Sequence, residues 1–318
     1  MTLTELKYIV AVAREKHFCR GAEACHVSQP TLSVAIKKLE EELQVKLFER
    51  NANEITVTPL GEEIVRQAQS VLEQADSIRE IARRGKDPLA GSLRLGVIYT
   101  IGPYLLPDLV RQIIEKTPQM PLMLQENFTA KLLEELRTGE IDCAILAEPF
   151  PDANLAIAPL YDEPFMAAVP SSHALAGRGS VTAEELKKET LLLLGTGHCF
   201  RDHVLEVCPE FARFSSSAEG ISKSFEGSSL ETIKHMVAAG MGITLVPRLG
   251  VPKEALAAPA KKASAEQPAH IKYLPFDGHV PTRRVVLVWR RSFPRYAAIA
   301  ALRNAVHACR LEGVSWLS

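Results

Sequence analysis

Residues 20–40, RGAEACHVSQPTLSVAIKKLE, decide the fold of the N-terminal region. Ala22 and Ala24 place small side chains on a first helix, which allows a second helix to approach closely. Ser28 is a favourable N-cap for that second helix. Pro30 falls in its first turn, where the missing amide donor costs nothing. The segment therefore predicts a helix-turn-helix.

The second helix divides into a buried stripe and a polar end. Leu32, Ile36 and Leu39 are spaced as on one helical face and predict the buried side. Short polar groups are left at the exposed start, where they could reach base edges in the major groove of DNA: Gln29, Thr31 and Ser33. Basic residues that could contact phosphates are Lys37, Lys38, Lys46 and Arg50. Residues 51–58 resemble a two-stranded wing. A plain helical hairpin remains open as the alternative.

Charge places a condition on any DNA surface. The chain of 318 residues has 37 Lys and Arg against 38 Asp and Glu, a formal net charge of −1. Glu40, Glu41 and Glu42 also cluster at the far end of the second helix. A basic patch must therefore arise by segregation of charges. With 47% hydrophobic and 24% charged residues, the composition is that of an ordinary globular protein.

Residues 60–86 predict one long helix. Its apolar residues follow a near-heptad spacing of 4, 4, 3, 4, 3 and 4: Leu60, Ile64, Ala68, Val71, Ala75, Ile78 and Ala82. Such a seam is satisfied most simply by the same helix of a second chain. The alternative is a helix that lies on its own domain. Gly85, Asp87 and Pro88 end the helix and mark a linker.

The remaining chain predicts an α/β domain of two lobes with largely parallel sheets, because strand and helix patterns alternate. The predicted strands are residues 93–99, 121–125, 143–147, 165–169, 191–194, 242–246 and 285–289. The predicted helices are residues 105–116, 131–138, 183–188, 229–239 and 296–310. Some 230 residues are too many for one sheet, which favours two lobes.

Cys199 is the most promising chemical candidate. It follows a Gly-Thr-Gly turn at the predicted start of a helix, between His198 and Arg201. A helix N-terminus and nearby cations favour thiolate, the form that attacks peroxide. The resulting sulfenic acid condenses with a second thiol, for which Cys208 is the nearest candidate. The alternative is that both cysteines are small buried hydrophobic residues.

Spacing makes this pair interesting. Nine residues along an α-helix rise about 13.5 Å and place the two side chains on opposite faces. A disulfide needs Cα atoms roughly 4.4–6.8 Å apart. A bond between Cys199 and Cys208 therefore requires the segment to unwind. That behaviour is what a two-state redox switch requires.

The chain resembles the LysR-type transcriptional regulators. The similarity includes SQPTLSVAIKKLEEEL at 28–43, LRTGEIDCAI at 136–145 and MVAAGMGITLVP at 236–247. It implies a winged helix-turn-helix at 1–58, a dimerising linker helix at 59–87 and a two-lobed, periplasmic-binding-protein-like regulatory domain at 88–318. Tetramers are implied as the usual working form. Matching positions assign DNA contacts to Gln29, Pro30, Thr31, Ser33 and Arg50.

Two segments are similar to the peroxide-sensing members of that family. They are GHCFRD at 197–202, with Cys208 beyond it, and SLETIKHMVAAGMGITLVP at 229–247. The resemblance implies that Cys199 is the peroxidatic thiol and Cys208 the resolving thiol, joined as a disulfide after oxidation. It also implies a peroxide pocket shaped by Thr100, Thr129, His198 and Arg201.

We therefore expect a DNA-binding regulator of oxidative-stress genes that senses hydrogen peroxide, has no enzymatic activity and needs no metal or cofactor. Its expected partners are promoter DNA, further copies of itself, RNA polymerase and a thiol reductant such as a glutaredoxin or thioredoxin system. The start of the chain has no signal-peptide pattern and no apolar run spans a bilayer, so we expect a cytoplasmic protein without membrane contact. A LysR-type regulator with a small organic effector between the lobes is the main alternative. A thiol peroxidase or a transport binding protein is a more distant one.

Overall fold

The computed structural model describes residues 1–50, 55–83, 87, 89–151, 154–207, 226–227, 229–255 and 270–317. The N-terminal unit contains α1 (Leu3–Glu15), α2 (Phe18–Ala24), α3 (Gln29–Leu43), β1 (Phe48–Arg50) and β2 (Ile55–Val57). β1 and β2 pair antiparallel and form the wing. The helix-turn-helix prediction is confirmed.

The second helix of this motif, α3, starts as its sequence predicts. The Ser28 hydroxyl accepts a hydrogen bond from the Thr31 amide at 3.3 Å, which satisfies one free donor of the first turn. Leu32, Ile36 and Leu39 are buried against α1 and α2. The opposite face of α3 is thereby left to solvent.

The long helix α4 spans Pro59–Arg83. Residues 84–86 of the predicted helix lie outside the described residues. Its first half packs on its own N-terminal unit through Ile64, Val65, Ala68 and Leu72. This half of the helix therefore lies on its own domain, as the alternative expected, and the partner helix of a second chain stays a prediction. A second apolar stripe stays exposed on another face: Leu60, Val71 and Ile78. Their spacings of 11 and 7 residues place them on one line along the helix.

The rest of the chain builds two lobes on a shared eight-stranded sheet. Its strands are β3 (Leu93–Ile98), β4 (Leu122–Asn127), β5 (Cys143–Ala147), β6 (Leu155–Pro170), β9 (Thr244–Pro247), β10 (Ile271–Pro275), β11 (Thr282–Arg290) and β12 (Ser315–Trp316). The two-stranded sheet of β7 (Leu193–Leu194) and β8 (Glu226–Gly227) belongs to the second lobe. The helices are α5 (Gly102–Lys116), α6 (Thr129–Thr138), α7 (Ala183–Leu186), α8 (Cys199–Val207), α9 (Leu230–Ala238) and α10 (Tyr296–His307).

Strand β6 passes through both lobes. Its residues 155–164 pair with β11 in the first lobe, and its residues 165–170 pair with β9 and β10 in the second. Two separate hydrophobic cores form on either side of this crossing. The chain returns to the first lobe where β10 leads into β11.

The expectation of largely parallel sheets is wrong. Only β3 with β4, β3 with β5, and β7 with β8 pair in parallel among the described strands. The pairs that β6 and β11 make are antiparallel. The physical reason is the double crossing, because two long strands that connect the lobes run in opposite directions and pair with each other.

A buried ion pair holds this crossing. Arg283 and Glu163 are opposite one another on β11 and β6, and both side chains are buried. The guanidinium Nε lies 2.9 Å from Glu163 Oε2, while Nη1 and Nη2 donate to the Thr100 hydroxyl at 2.8 Å and its carbonyl at 2.9 Å. The other Glu163 oxygen accepts from the Leu249 amide at 2.8 Å. Each guanidinium nitrogen and each carboxylate oxygen of the pair thus makes at least one hydrogen bond.

Replacing Arg283 by Met should destabilise the regulatory lobes by about 3–5 kcal/mol, because a buried carboxylate loses its counter-charge. Urea unfolding followed by tryptophan fluorescence measures this, since Trp289 and Trp316 are the two tryptophans of the chain and both lie in the first lobe. Arg284→Met is the matched control. Arg284 pairs with Asp162 at the surface, so its loss should leave the midpoint nearly unchanged. Equal midpoints for the two variants would contradict the role of Arg283.

No helix among the described residues is long and apolar enough to cross a membrane.

Candidate functional site

Three chain segments come together at the start of α8. The end of β3 contributes Tyr99, the loop before α6 contributes Phe128, and the loop before α8 contributes His198. The His198 ring centroid lies 4.7 Å from that of Phe128 and 5.8 Å from that of Tyr99. Each of these rings directly precedes a predicted site residue in the sequence: Thr100 and Thr129 of the pocket, and the Cys199 thiol.

The Cys199 thiol stands between the two cores. Cys199 is half-buried and packs against the core of the first lobe. Phe200 and Val204, on the same helix, are buried in the core of the second lobe. The first turn of α8 therefore bridges the lobes, and any change in the position of Cys199 alters the contact between them.

Burial raises the pKa of the Cys199 thiol above its ordinary value of 9.0. The hydroxyl of Thr129 and the charge of Arg283 act in the opposite direction and do not offset the burial. The direction of this shift is opposite to the one expected from the helix start and the neighbouring cations. The sequence pattern could not show that the thiol would be desolvated between two lobes.

Arg201 and His198 flank Cys199 in the sequence, and each has a described contact that positions the loop before α8. Arg201 Nη1 donates to the carbonyl of Leu194 at 2.8 Å, across the turn between β7 and α8. His198 is buried and its ring meets Phe128 edge-on. Both residues fix the loop that presents Cys199.

The two threonines of the predicted pocket differ in how they are used. The Thr100 hydroxyl accepts from Arg283 and is buried. Thr129 Oγ1 is also buried, beside the thiol, and has no partner of good hydrogen-bond geometry among the described residues. A buried hydroxyl without a partner is costly and suits a small polar guest.

His203 anchors α8 from the other side. Its Nε2 lies 2.8 Å from the Glu148 carbonyl oxygen and donates to it. Its Nδ1 is buried without a partner among the described residues. Burial lowers the pKa of His203, which favours the neutral form of the ring. The sequence analysis did not identify this anchor.

The predicted resolving thiol, Cys208, lies outside the described residues. The other cysteines do not adjoin Cys199 in any described contact. Burial raises the pKa of Cys143 and that of Cys25, and it raises the pKa of Cys309 to about 11. Cys19 is exposed on α2. Among the described residues no group of His, Cys, Asp and Glu side chains could hold a metal ion.

The predicted DNA-contact residues of α3 share its exposed start. Pro30 and Thr31 are exposed, and Gln29 Nε2 donates to Ser33 Oγ at 2.7 Å. The side chain of Arg50 is outside the described part of the chain. Val34 was missed by the sequence analysis, although its side chain is 68% exposed at the centre of this face. Helical spacing from Pro30 could have revealed it.

Two of the lysines predicted to contact phosphates already form ion pairs with glutamates. Lys46 Nζ lies 3.4 Å from Glu40 Oε2, and Lys37 Nζ lies 3.8 Å from Glu41 Oε1. Glu40 also accepts from the amides of Leu47 and Phe48, so it fixes the start of the wing. A groove of about 480 Å³ runs between α3 and the wing, and Ser33, Val34, Lys37 and Lys46 line it with Phe18, Ile36, Glu40 and Phe48.

Two family models cover most of the chain. Residues 3–62 match the bacterial regulatory helix-turn-helix protein of the lysR family, and residues 86–309 match the LysR substrate binding domain. The chain therefore belongs to the LysR family of transcriptional regulators. Its full-length similarity within that family is to the OxyR regulators, and we place it in that group.

Curated relatives support this placement. The DNA-binding transcriptional dual regulator OxyR of Escherichia coli K12 is 38% identical over 313 residues, which cover 98% of this chain and 97% of that protein. The hydrogen peroxide-inducible genes activator of Pectobacterium carotovorum is 39% identical over 303 residues, or 94% of this chain and 95% of that one.

Solved structures show the same architecture. A full-length OxyR variant from Pseudomonas aeruginosa is 49% identical and matches with a TM-score of 0.79, over 98% of this chain and 96% of that one. A Corynebacterium glutamicum OxyR cysteine mutant with hydrogen peroxide bound is 33% identical, with a TM-score of 0.62, over 96% of this chain and 92% of that one. The winged helix-turn-helix, long helix and two-lobed regulatory domain are thus the fold of this chain.

The raised pKa of Cys199 predicts how its oxidation depends on pH. Because the thiolate is the nucleophile, the rate of reaction with hydrogen peroxide should rise about tenfold per pH unit from pH 6.5 to 8.5. Stopped-flow mixing with peroxide, with free thiol counted by alkylation of Cys199, measures the rate. A rate that levels off below pH 8 would show that the pKa is lowered instead.

Proposed function

We propose that this chain is a transcriptional regulator that senses hydrogen peroxide through Cys199. The observation that carries the proposal is a cysteine at a helix start, beside the buried hydroxyl of Thr129, which has no partner of good hydrogen-bond geometry in the described part of the chain. The relatives named as hydrogen peroxide-inducible genes activators support the same function. Thr129 would hold the peroxide against the thiol, with Thr100, His198 and Arg201 shaping the pocket around it.

The chemistry requires two steps. The Cys199 thiolate attacks one peroxide oxygen, an S–O bond forms, the O–O bond breaks and hydroxide leaves, which takes up a proton as water. The sulfenic sulfur is then attacked by a second thiolate, which we assign to Cys208, and a disulfide forms as hydroxide leaves. The two cysteines are oxidised by two electrons in total and the peroxide is reduced to water.

Helix α8 limits how closely the residue that follows it can approach Cys199. Val207 lies eight residues along the helix from Cys199, a rise of about 12 Å. Consecutive Cα atoms are about 3.8 Å apart, so the residue after Val207 stays roughly 8 Å or more from Cys199 while the helix is intact. A disulfide tolerates Cα separations of roughly 4.4–6.8 Å. Formation of the bond therefore requires α8 to unwind, which removes Phe200 and Val204 from the second core.

The regulator acts on promoter DNA through the N-terminal unit. The family assigns DNA binding to this unit, and we assign base contacts to Gln29, Pro30, Thr31 and Ser33 and a phosphate contact to Arg50. Val34 joins this face, where its isopropyl group suits a thymine methyl. The boundaries at residues 58 and 87 between DNA-binding, linker and regulatory parts stay predictions.

Other partners follow from this role. The exposed stripe of Leu60, Val71 and Ile78 on α4 provides a seam for a second copy, and two such dimers would form a tetramer. RNA polymerase would be the target of activation. A glutaredoxin or thioredoxin system would return the disulfide to two thiols. Such a regulator has no catalytic turnover and works in the cytoplasm, where the DNA is.

Peroxide treatment followed by alkylation and peptide mass spectrometry tests the sensing step. The wild-type chain should yield a peptide linked through Cys199 and Cys208 and should activate a reporter promoter. Cys199→Ser should abolish both results, and Cys208→Ser should stop at a sulfenic acid. Cys143→Ser is the matched control, because its buried thiol is expected to be inert.

Two outcomes would overturn the proposal. One is unchanged promoter activation by Cys199→Ser after peroxide. The other is a treated wild-type sample in which both thiols are still alkylated, and this result favours a regulator with an organic effector between the lobes. Catalytic peroxide consumption with an added thioredoxin system, without promoter binding, would favour a thiol peroxidase.

DNA recognition by α3 predicts two different kinds of loss. Gln29→Ala should weaken binding to the operator by roughly 1–3 kcal/mol and leave binding to unrelated DNA unchanged, because it removes a base contact. Lys38→Ala should weaken binding to the operator and to unrelated DNA equally. It should also reduce by about 1 the slope of the logarithm of the binding constant against the logarithm of salt concentration, as expected for a phosphate contact. Fluorescence anisotropy at several salt concentrations separates them. An equal loss of affinity for the operator and for unrelated DNA in Gln29→Ala would contradict the assignment of Gln29 to a base contact.

A further inference from the structure

A buried side-chain cluster joins the linker helix to the first lobe. We call it the Glu73 clasp, and it consists of Gln69 and Glu73 on α4 with Arg290 and Ser292 of the first lobe. Arg290 Nε and the Ser292 hydroxyl bind the two carboxylate oxygens of Glu73. Gln69 Nε2 donates to the same carboxylate at 3.1 Å. Glu73 and Arg290 are both more than nine-tenths buried.

Arg290 extends the clasp into the lobe. Its Nη1 donates to the carbonyls of Leu136, at the end of α6, and of Ile141, just before β5, the latter at 2.8 Å. Gln69 also lies over the turn between them, because a Cβ at Gly139 would be 2.5 Å from its Nε2. The linker helix is thus seated on the α6–β5 turn and on the end of β11.

Helix α6 connects the region that contacts the linker helix to the sensing thiol. It begins at Thr129, whose hydroxyl lies beside Cys199, and ends at Thr138, next to the clasp. Ten helical residues span about 15 Å. Helix α6 is fixed to the sheet, since a Cβ at Gly96 on β3 would be 2.5 Å from the Leu132 side chain. The clasp, α6 and the first lobe are therefore joined by continuous packing and hydrogen bonds.

We infer that the Glu73 clasp makes the linker helix, and with it the DNA-binding unit, follow the first lobe. This inference rests on the proposed function. Withdrawal of Cys199 from Thr129 changes the contact between the lobes, and a rotation of the first lobe is then carried to α4 through the clasp. The clasp does not take part in the thiol chemistry. It determines whether oxidation reaches the DNA.

Loss of a coupling element should lower induction by peroxide while thiol oxidation and operator binding are kept. Loss of a sensor or of a scaffold would instead change oxidation or binding, so these measurements test the inference. Glu73→Gln keeps the shape of the side chain and removes the charge that neutralises Arg290. Cys199 oxidation and operator binding by the reduced form should each change by less than about twofold. The ratio of peroxide-induced to basal transcription should fall about fivefold or more, the lower range for allosteric coupling.

Two further variants sharpen the result. Ser292→Ala removes one hydrogen bond to Glu73 and should give a smaller loss of induction in the same direction. Glu63→Gln is the matched control, because Glu63 is an exposed carboxylate on the same helix and outside the clasp. It should retain full induction. DNA footprints before and after peroxide should differ for the control and coincide for Glu73→Gln.

Each other outcome overturns the inference. Full induction in Glu73→Gln means that the linker helix follows the lobe without the clasp. Loss of reduced-state operator binding assigns the clasp to folding, and slowed Cys199 oxidation assigns it to the sensor. The wild-type sample distinguishes the proposed function from the coupling role of the Glu73 clasp. If the wild-type chain forms no disulfide with peroxide, the proposed function is contradicted and the clasp is not.

Discussion

The guanidinium of Arg283 is the point on which the regulatory domain depends. It is buried where β6 and β11 cross between the lobes, and a charge in such a place is stable only when paired and fully hydrogen-bonded. Glu163 supplies the charge, and Thr100 supplies two acceptors at the end of β3. The same guanidinium lies 5.3 Å from the ring centroid of Phe200 on α8. One side chain thus ties both lobes to the helix that begins with the sensing thiol.

Local signals in the sequence were sufficient for much of the fold. The N-cap at Ser28, the proline after it and the stripe of Leu32, Ile36 and Leu39 are short-range features, and each appears in α3 as predicted. Strand β5 was predicted at 143–147 with its observed bounds. Both cases involve residues whose neighbours in sequence are also their neighbours in the structure, so propensity and packing agree.

The features that could not be predicted depend on contacts between residues that are distant in the sequence. The first-lobe part of β6 contains Pro159 and Pro164, which argue against a strand, yet β11 pairs with both prolines, with a bulge between Pro159 and Tyr161. The Arg283–Glu163 pair joins residues 120 positions apart and has no local pattern. The pKa of Cys199 was predicted in the wrong direction for the same reason. A helix start is visible in sequence, whereas desolvation by a second lobe is not.

A buried thiol suits a switch because the packing that holds its helix in place also determines the free energy needed to unwind that helix. In the proposed transition Phe200 and Val204 leave the second core, and each buried side chain of this size contributes about 1.5–3 kcal/mol. Moving a two-state equilibrium from 1:99 to 99:1 takes about 5.5 kcal/mol. Together the two side chains contribute about 3–6 kcal/mol, which is of the same size, so their packing keeps the reduced form in the helical state. A covalent bond that α8 cannot accommodate then reverses the balance.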